Sequence, residues 1–300
     1  MRKIILLFFV LLLAACTGKI EKTKNQTNIQ NSGDLQVHFL DVGQGDAIFI
    51  KSPNGQTMLI DGGVKGVGQQ VVDYIQEQGV EKLNFVVATH PDAAHIGGLI
   101  SVLNEIPIDY FIDSGKMHTS STYEEMLQLI DKNHIQYIVP KTGGQIQLDD
   151  VLKVDILYAN ENASNHHEAS IVLKVTYDEI SFLLMGGANI SIENELMQHA
   201  DLKATILKAA QHGSNISSSN EFLRAVQPEI TILSYGQDNP HGHPDFEVVS
   251  RLKKIGSKIY STAESGTIVI KTNGKSYTTS APEWTGIGAT GSLAKPSIEE

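Results

Sequence analysis

The sequence predicts an α/β (α+β) fold: a four-layer αββα sandwich, two packed sheets with helices on their outer faces. Three observations predict it. A chain of 300 residues with 41% hydrophobic content can bury a core large enough to fold unaided. Its β-rich runs and amphipathic helical runs fall into two blocks, each a set of strands followed by helices, as in layered mixed domains. Gly and Pro-Asn-Gly turns separate the first strands closely enough for antiparallel pairing.

The elements follow in chain order. Residues 1–15, "MRKIILLFFVLLLAA", place Arg2 and Lys3 before a short apolar run ending in small residues, the composition of a secretory signal peptide. The run is shorter than the ~20 apolar residues of a spanning helix. Cys16, the single cysteine, follows directly, and "LAAC" resembles the bacterial lipobox, in which that cysteine is lipidated and becomes the mature N-terminus. Two acyl chains anchor stably where one is marginal, so Cys16 implies attachment to the extracytoplasmic face of the cell membrane. Residues 16–34 read as the lipidated N-terminus and a polar tether, 35–279 as the folded domain, and 280–300 as a loose tail that Trp284 pins in part.

Within the domain, "LQVHFLDVG", "AIFIKS" and "TMLIDGG" read as antiparallel strands. "VGQQVVDYIQEQGV" has helical apolar spacing and stops at Gly79. "LNFVVATH" is a buried strand, after which "HIGGLISVL" starts a helix. "TYEEMLQLIDKNH" is helical and "IQYIVP" a strand; "VLKVDILYA", "ASIVLKVTY" and "ISFLLMGGA" are strands again. "ATILKAAQHGS" is a strand running into a polar loop, and from "SNEFLRAV" to "GTIVIKT" helix and strand alternate.

Charge narrows the function classes. Removing residues 1–15 takes two basic residues and no acid, leaving 21 basic against 34 acidic residues, a net of −13. Such a surface repels phosphate backbones at long range, which disfavours broad nucleic-acid binding. A ligand or protein partner of unknown identity is the remaining expectation.

The chemistry concentrates in "ATHPDAAHIGG", residues 88–98. A strand delivers His90 to a turn that also holds Asp92 and His95, and imidazole with carboxylate suits zinc or, in carboxylate-rich sites, manganese. Alone, His-x-Asp-x-x-His reads first as a capped turn. Its neighbours decide the matter: "HFLDVGQGDAIFI", "MLIDGG", "VVATHPDAAHIGG", "FLLMGGA", "QHGSN", "HGHPD" and "ESGTIVI" run in the same order as motifs of the metallo-β-lactamase superfamily. They resemble most the periplasm-facing domain of ComEC-type competence proteins and their stand-alone secreted relatives, over about residues 35–272. That resemblance implies the αββα fold and a metal-dependent hydrolase, often a phosphodiesterase or nuclease.

Carried over position by position, the resemblance also implies a depleted site. The family turn is His-x-(His or Asp)-x-Asp-His. His90, Asp92 and His95 match, and Ala94 replaces the second metal's aspartate. The family's bridging Asp after Gly is Gly187, and its His-His-Gly-Ser is Gln211-His212-Gly213-Ser214. His90, Asp92, His95 and His212 are thus vestigial ligands, with His167 available as a stand-in third ligand for the first metal. His166 and His167 read first as exposed loop residues. Asp41, Gln44, Asp46 and Asp61 read as turn-capping framework residues or as the edge of a pocket. His243 faces the pocket in the family, although a solvated loop histidine fits it too. Without two carboxylates the two-metal mechanism fails. The expected cofactor is no metal, or one weakly held zinc or manganese ion. Changes in three separate motifs read as drift after activity ceased to matter. The leading expectation is a pseudo-enzyme that binds a ligand or partner. The alternative is a one-metal phosphodiesterase or nuclease-type hydrolase linked to competence.

Overall fold

The computed structural model describes residues 33–286. The expected signal peptide, Cys16, nearly all of the expected tether and the end of the expected tail lie outside the described residues.

The first half of the domain begins with three antiparallel strands, β1 (Leu35–Phe39), β2 (Ile48–Lys51) and β3 (Thr57–Ile60). Helix α1 (Gly68–Glu77) buries Val71, Val72 and Ile75 on one stripe, and Gly79 follows it at φ 72°. β4 (Leu83–Ala88) leads through the histidine turn into α2 (Ala93–Ile96) and α3 (Leu99–Glu105). The run expected as one helix is two because Gly97 and Gly98 press against another loop: a Cβ on Gly98 would stand 1.9 Å from the Gly62 carbonyl oxygen. β5 (Ile108–Asp113), α4 (Ser121–Lys132) and β6 (Gln136–Ile138) complete this half. Ser120 caps α4 by accepting from the Tyr123 N–H, and Tyr123, Met126, Leu129 and Ile130 form its buried face.

The second half holds β7 (Lys153–Tyr158), β8 (Val172–Tyr177) and β9 (Ile180–Leu184), antiparallel in turn. α5 (Ile190–His199), β10 (Ile206–Lys208), α6 (Asn220–Val226), β11 (Ile230–Leu233), α7 (Phe246–Lys254) and β12 (Lys258–Ser261) then alternate. Parallel pairing of β9, β10, β11 and β12 follows, because a helical crossover returns the chain in the same direction. Helix α8 (Thr262–Ser265), β13 (Ile268–Thr272) and β14 (Tyr277–Thr279) bring the chain back to the first sheet, where β13 pairs with β1.

The result is an eight-stranded sheet, β14-β13-β1-β2-β3-β4-β5-β6, facing a six-stranded sheet, β12-β11-β10-β9-β8-β7. Phe39, Ile50, Met58 and Val87 meet Leu173, Phe182, Ile206 and Ile232 between them. The outer face of the first sheet packs on α1, α3 and α4, and that of the second on α5, α6 and α7, giving the four layers expected. Trp284 is buried against the second sheet; its backbone N–H donates to Ile259 and its indole N–H to the Tyr235 hydroxyl. No helix among the described residues is long and apolar enough to cross a membrane.

Candidate metal centre

The register of the strands gathers the site at one rim of the sandwich. Asp61 follows β3, and His90 follows β4, which runs parallel to it. Asp46 precedes β2, whose first residue pairs with the last of β3. From the second sheet, Gly187 follows β9 and Gln211 and His212 follow β10, its parallel neighbour. The Ile171 N–H donates to the Thr89 carbonyl and joins the two rims, and a Cβ on Gly186 would lie 3.2 Å from the Thr89 Cβ. Carboxyl ends of neighbouring parallel strands are where loops converge to form sites.

A buried hydrogen-bond chain sets the histidine tautomers. Asp61, at φ 58°, accepts from the Thr89 N–H and hydroxyl, both at 2.8 Å, and from His95 Nδ1 at 2.7 Å. The Thr89 hydroxyl has one hydrogen and gives it to Asp61. At 2.9 Å it therefore accepts from His90 Nδ1, which leaves His90 Nε2 with its lone pair free. Burial, reinforced by His95, holds His90 well below the usual histidine range, so it stays neutral. Burial pulls His95 the same way, but the Asp61 carboxylate outweighs it and raises that imidazole above its ordinary value.

Asp46 is also fully buried, which raises its carboxyl, yet Lys208, His212 and His95 together outweigh the desolvation and hold it far below the usual carboxylate range. The Lys208 ammonium has no exposed surface; it lies 2.9 Å from each Asp46 oxygen and donates to the Ala209 carbonyl. His212, at φ 56°, places Nδ1 3.1 Å from the Ser234 carbonyl and 3.5 Å from Asp46.

The remaining sequence-derived residues fall around this frame. Asp41 accepts from the Gly43 N–H and so caps its turn. Gln44 accepts from the Gly236 N–H, and its amide nitrogen lies 3.4 Å from His243 Nδ1. His243 faces the cleft, its ring 6.2 Å from that of His212, and burial lowers it to about 4. Asp92 caps α2 by accepting from the Ala94 N–H; that bond, with His95 and His167 nearby, outweighs burial and keeps its carboxyl below the ordinary value. His166 and His167 are half-buried in the cleft rather than exposed, because Ser170 and Ile171 just after them tie the loop to Gly187 and Thr89. The His167 ring is 5.5 Å from that of His90, and its Nδ1 is buried without a hydrogen-bond partner.

At the positions where the resemblance expects further ligands, Gly187 and Gln211 are neighbours. A Cβ on Gly187 would lie 2.6 Å from His90 Cε1 and 2.7 Å from Nε2. The Gln211 side-chain amide donates to the Gly187 carbonyl, and Ala94 offers only a methyl. Two groups bring one ligand atom from each of three residues within 4.8 Å of one another: His90, Asp92 and His167, and Asp46, Asp61 and His95. The second is already charge-balanced by Lys208 and hydrogen-bonded through Thr89. Ala94 and Gly187 offer no ligand atom where the resemblance expects two carboxylates. The first group, two imidazoles and a carboxylate, is the donor chemistry of zinc.

Sequence reasoning missed Lys208 and Thr89. The signal for Lys208 was a lysine ending the apolar run "TILK"; Thr89 carried none beyond its place before His90.

A profile of the metallo-beta-lactamase superfamily matches residues 40–237. Over 255 residues the chain is 24% identical to ComE operon protein 3 of Bacillus subtilis, covering 79% of this chain and 33% of that protein. Over 241 residues it is 29% identical to Recombination protein 2 of Haemophilus influenzae, covering 78% and 28%. The chain thus spans about a third of the length of these relatives. Among solved structures, CmlA, a diiron beta-hydroxylase from Streptomyces venezuelae, aligns with a TM-score of 0.51 at 10% identity, over 76% of this chain and 52% of that one, a likeness of fold alone. With its profile, its sandwich and its rim of histidines in agreement, the chain belongs to the metallo-beta-lactamase superfamily and resembles the ComEC-type competence proteins.

Proposed function

We propose that this chain is an extracytoplasmic, lipid-anchored pseudo-hydrolase that binds a ligand or partner through its histidine-lined cleft without two-metal turnover. The observation that carries the reading is the state of residue 187. The family places a bridging carboxylate there; here the His90 imidazole fills the space a side chain would need, and Gln211 bonds the Gly187 backbone. Ala94 removes a second carboxylate. Two-metal phosphoryl chemistry needs both ions a few ångströms apart to clamp attacking and leaving oxygens. With one half of the site occupied by the Lys208–Asp46 pair and the Asp61–His95 pair, that clamp has no place to form.

The test is phosphodiesterase activity of the purified full-length chain with zinc or manganese supplied, read on a chromogenic phosphodiester. The expected rate is no higher than that of His90→Ala. Turnover that His90→Ala abolishes overturns the proposal. It would favour the second reading, a one-metal hydrolase, for which the His90, Asp92 and His167 group is the specific support. A role beside the competence machinery rests on the resemblance to ComEC-type proteins alone.

The anchor at Cys16 is part of the same proposal. Cys16→Ser is expected to move the protein from the membrane fraction to the soluble extracytoplasmic fraction. Unchanged membrane retention of that variant contradicts the anchor.

A further inference from the structure

We infer that His90, Asp92 and His167 form a mononuclear zinc site, in which His167 is the third protein ligand and zinc is preferred over manganese. The inference rests on the proposed loss of the two-metal centre and goes further, to which ion the remaining half selects.

Each donor is prepared independently of the others. His90 presents Nε2 with its lone pair free, because Asp61 holds the Thr89 hydrogen and the Thr89 oxygen in turn holds His90 Nδ1–H. This carboxylate–hydroxyl–imidazole relay is the arrangement that fixes a metal-binding tautomer. Asp92 spends Oδ1 on the Ala94 N–H, and its Oδ2 faces His166 Nε2 at 3.7 Å. His167 has a buried nitrogen with no partner, an uncommon and costly state for an imidazole that is not a ligand.

Donor hardness selects the ion. At the family positions carried by Ala94 and Gly187, carboxylates have become a methyl and a hydrogen. Imidazoles line the same stretch of cleft. Eight of the eleven histidines form a continuous file of rings, His118, His166, His167, His90, His95, His212, His243 and His241, with neighbouring centroids 4.1–6.2 Å apart. Oxygen-rich sites suit manganese and magnesium, whereas imidazole suits zinc. Two imidazoles and one carboxylate make a zinc donor set. Three protein donors, fewer than the four of a closed structural site, also leave room for an oxygen from an anionic ligand.

The experiment uses the metal-stripped full-length chain, titrated with zinc and separately with manganese against a chromogenic chelator. Cobalt substitution gives a second readout, because its visible spectrum reports ligand type and number without any turnover. The expected result is one zinc per chain, manganese bound at least about tenfold more weakly, and a zinc affinity about tenfold or more lower in His167→Ala. His199→Ala, at an exposed histidine on α5, serves as the control for surface imidazoles and is expected to leave zinc affinity unchanged. Native fluorescence of Trp284 shows that each variant is folded. Equal zinc affinity in folded His167→Ala, or a preference for manganese, overturns the inference. No bound zinc overturns it too, while leaving the pseudo-hydrolase reading intact. Two zinc ions per chain with phosphodiesterase turnover overturn that reading itself.

Discussion

Replacing Lys208 with Met removes the one full charge buried opposite Asp46 and keeps most of the length of the side chain. Lys208 has 0% and Asp46 2% of its surface exposed, and the ammonium sits 2.9 Å from both carboxylate oxygens. At an effective dielectric of 20, the Coulomb attraction across that distance is about 6 kcal/mol, much of it offset by desolvation of both ions. Removing only the lysine keeps the desolvation cost of Asp46 and discards the compensation. His212 Nδ1, at 3.5 Å, is the one cation-forming group left within ion-pair distance among the described residues. The loss should be about 3–5 kcal/mol. With a urea slope of about 3 kcal/mol per molar, the unfolding midpoint falls by roughly 1–1.7 M. Trp284 is the only tryptophan and is buried against the second sheet, so its fluorescence reports the transition. The double variant Asp46→Asn, Lys208→Met should recover much of the loss, because neither partner then carries an uncompensated charge. A Lys208→Met midpoint within about 0.3 M of the parent, or a double variant no more stable than the sum of the two single losses, refutes the reasoning.

Two further outcomes follow from the same coordinates. Burial, aided by Lys271 and Lys51, lowers His38 to about 4 from an ordinary value of 6.5, and its Nδ1 pairs with the Tyr74 hydroxyl at 2.7 Å. Between those values the unfolded chain binds a proton that the folded chain rejects, so stability rises with pH across that window. Acidification to pH 4 should remove up to about 3 kcal/mol, and His38→Gln should flatten melting temperature against pH there. The second outcome concerns reversion. Gly187→Asp alone should weaken zinc binding, because its Cβ meets the His90 ring at 2.6 Å. Ala94→Asp, Gly187→Asp and Gln211→His together keep that close approach and the Lys208–Asp46 pair, so the metal content should stay at no more than one ion per chain by elemental analysis; two ions in the folded triple variant contradict the claim that the second half of the site has closed.

The layers of this fold were legible because their signals are local. Alternating or continuous apolar runs bounded by Gly and Asn turns marked nearly every strand, and Gly79 stopped α1 in the expected place. The misses have physical causes. β5, "IDYFID", was passed over because its polar residues mask an apolar strand, and α5, "ISIENELMQH", because Asn and Glu dilute its apolar stripe. The split between α2 and α3 depends on Gly98 meeting Gly62, which no local pattern encodes. At the site, motif order was enough to expect His90, His95 and His212 in one neighbourhood, where the structure places them. The burial of His166 and His167 could not be read from it, since it comes from hydrogen bonds that Ser170 and Ile171 make across the cleft. Nor could the pairing of Lys208 with Asp46, 162 positions apart in sequence. A buried carboxylate demands a counter-charge, but only the packing of the two sheets says which lysine supplies it.

The most direct test of the central claim is metal content. Full-length protein, equilibrated with zinc and manganese together and then dialysed free of unbound ions, is analysed for both elements per chain. One zinc and no manganese is the result expected of a site whose second half has closed on itself. Two ions per chain, with manganese among them, would contradict the claim that this centre has been dismantled.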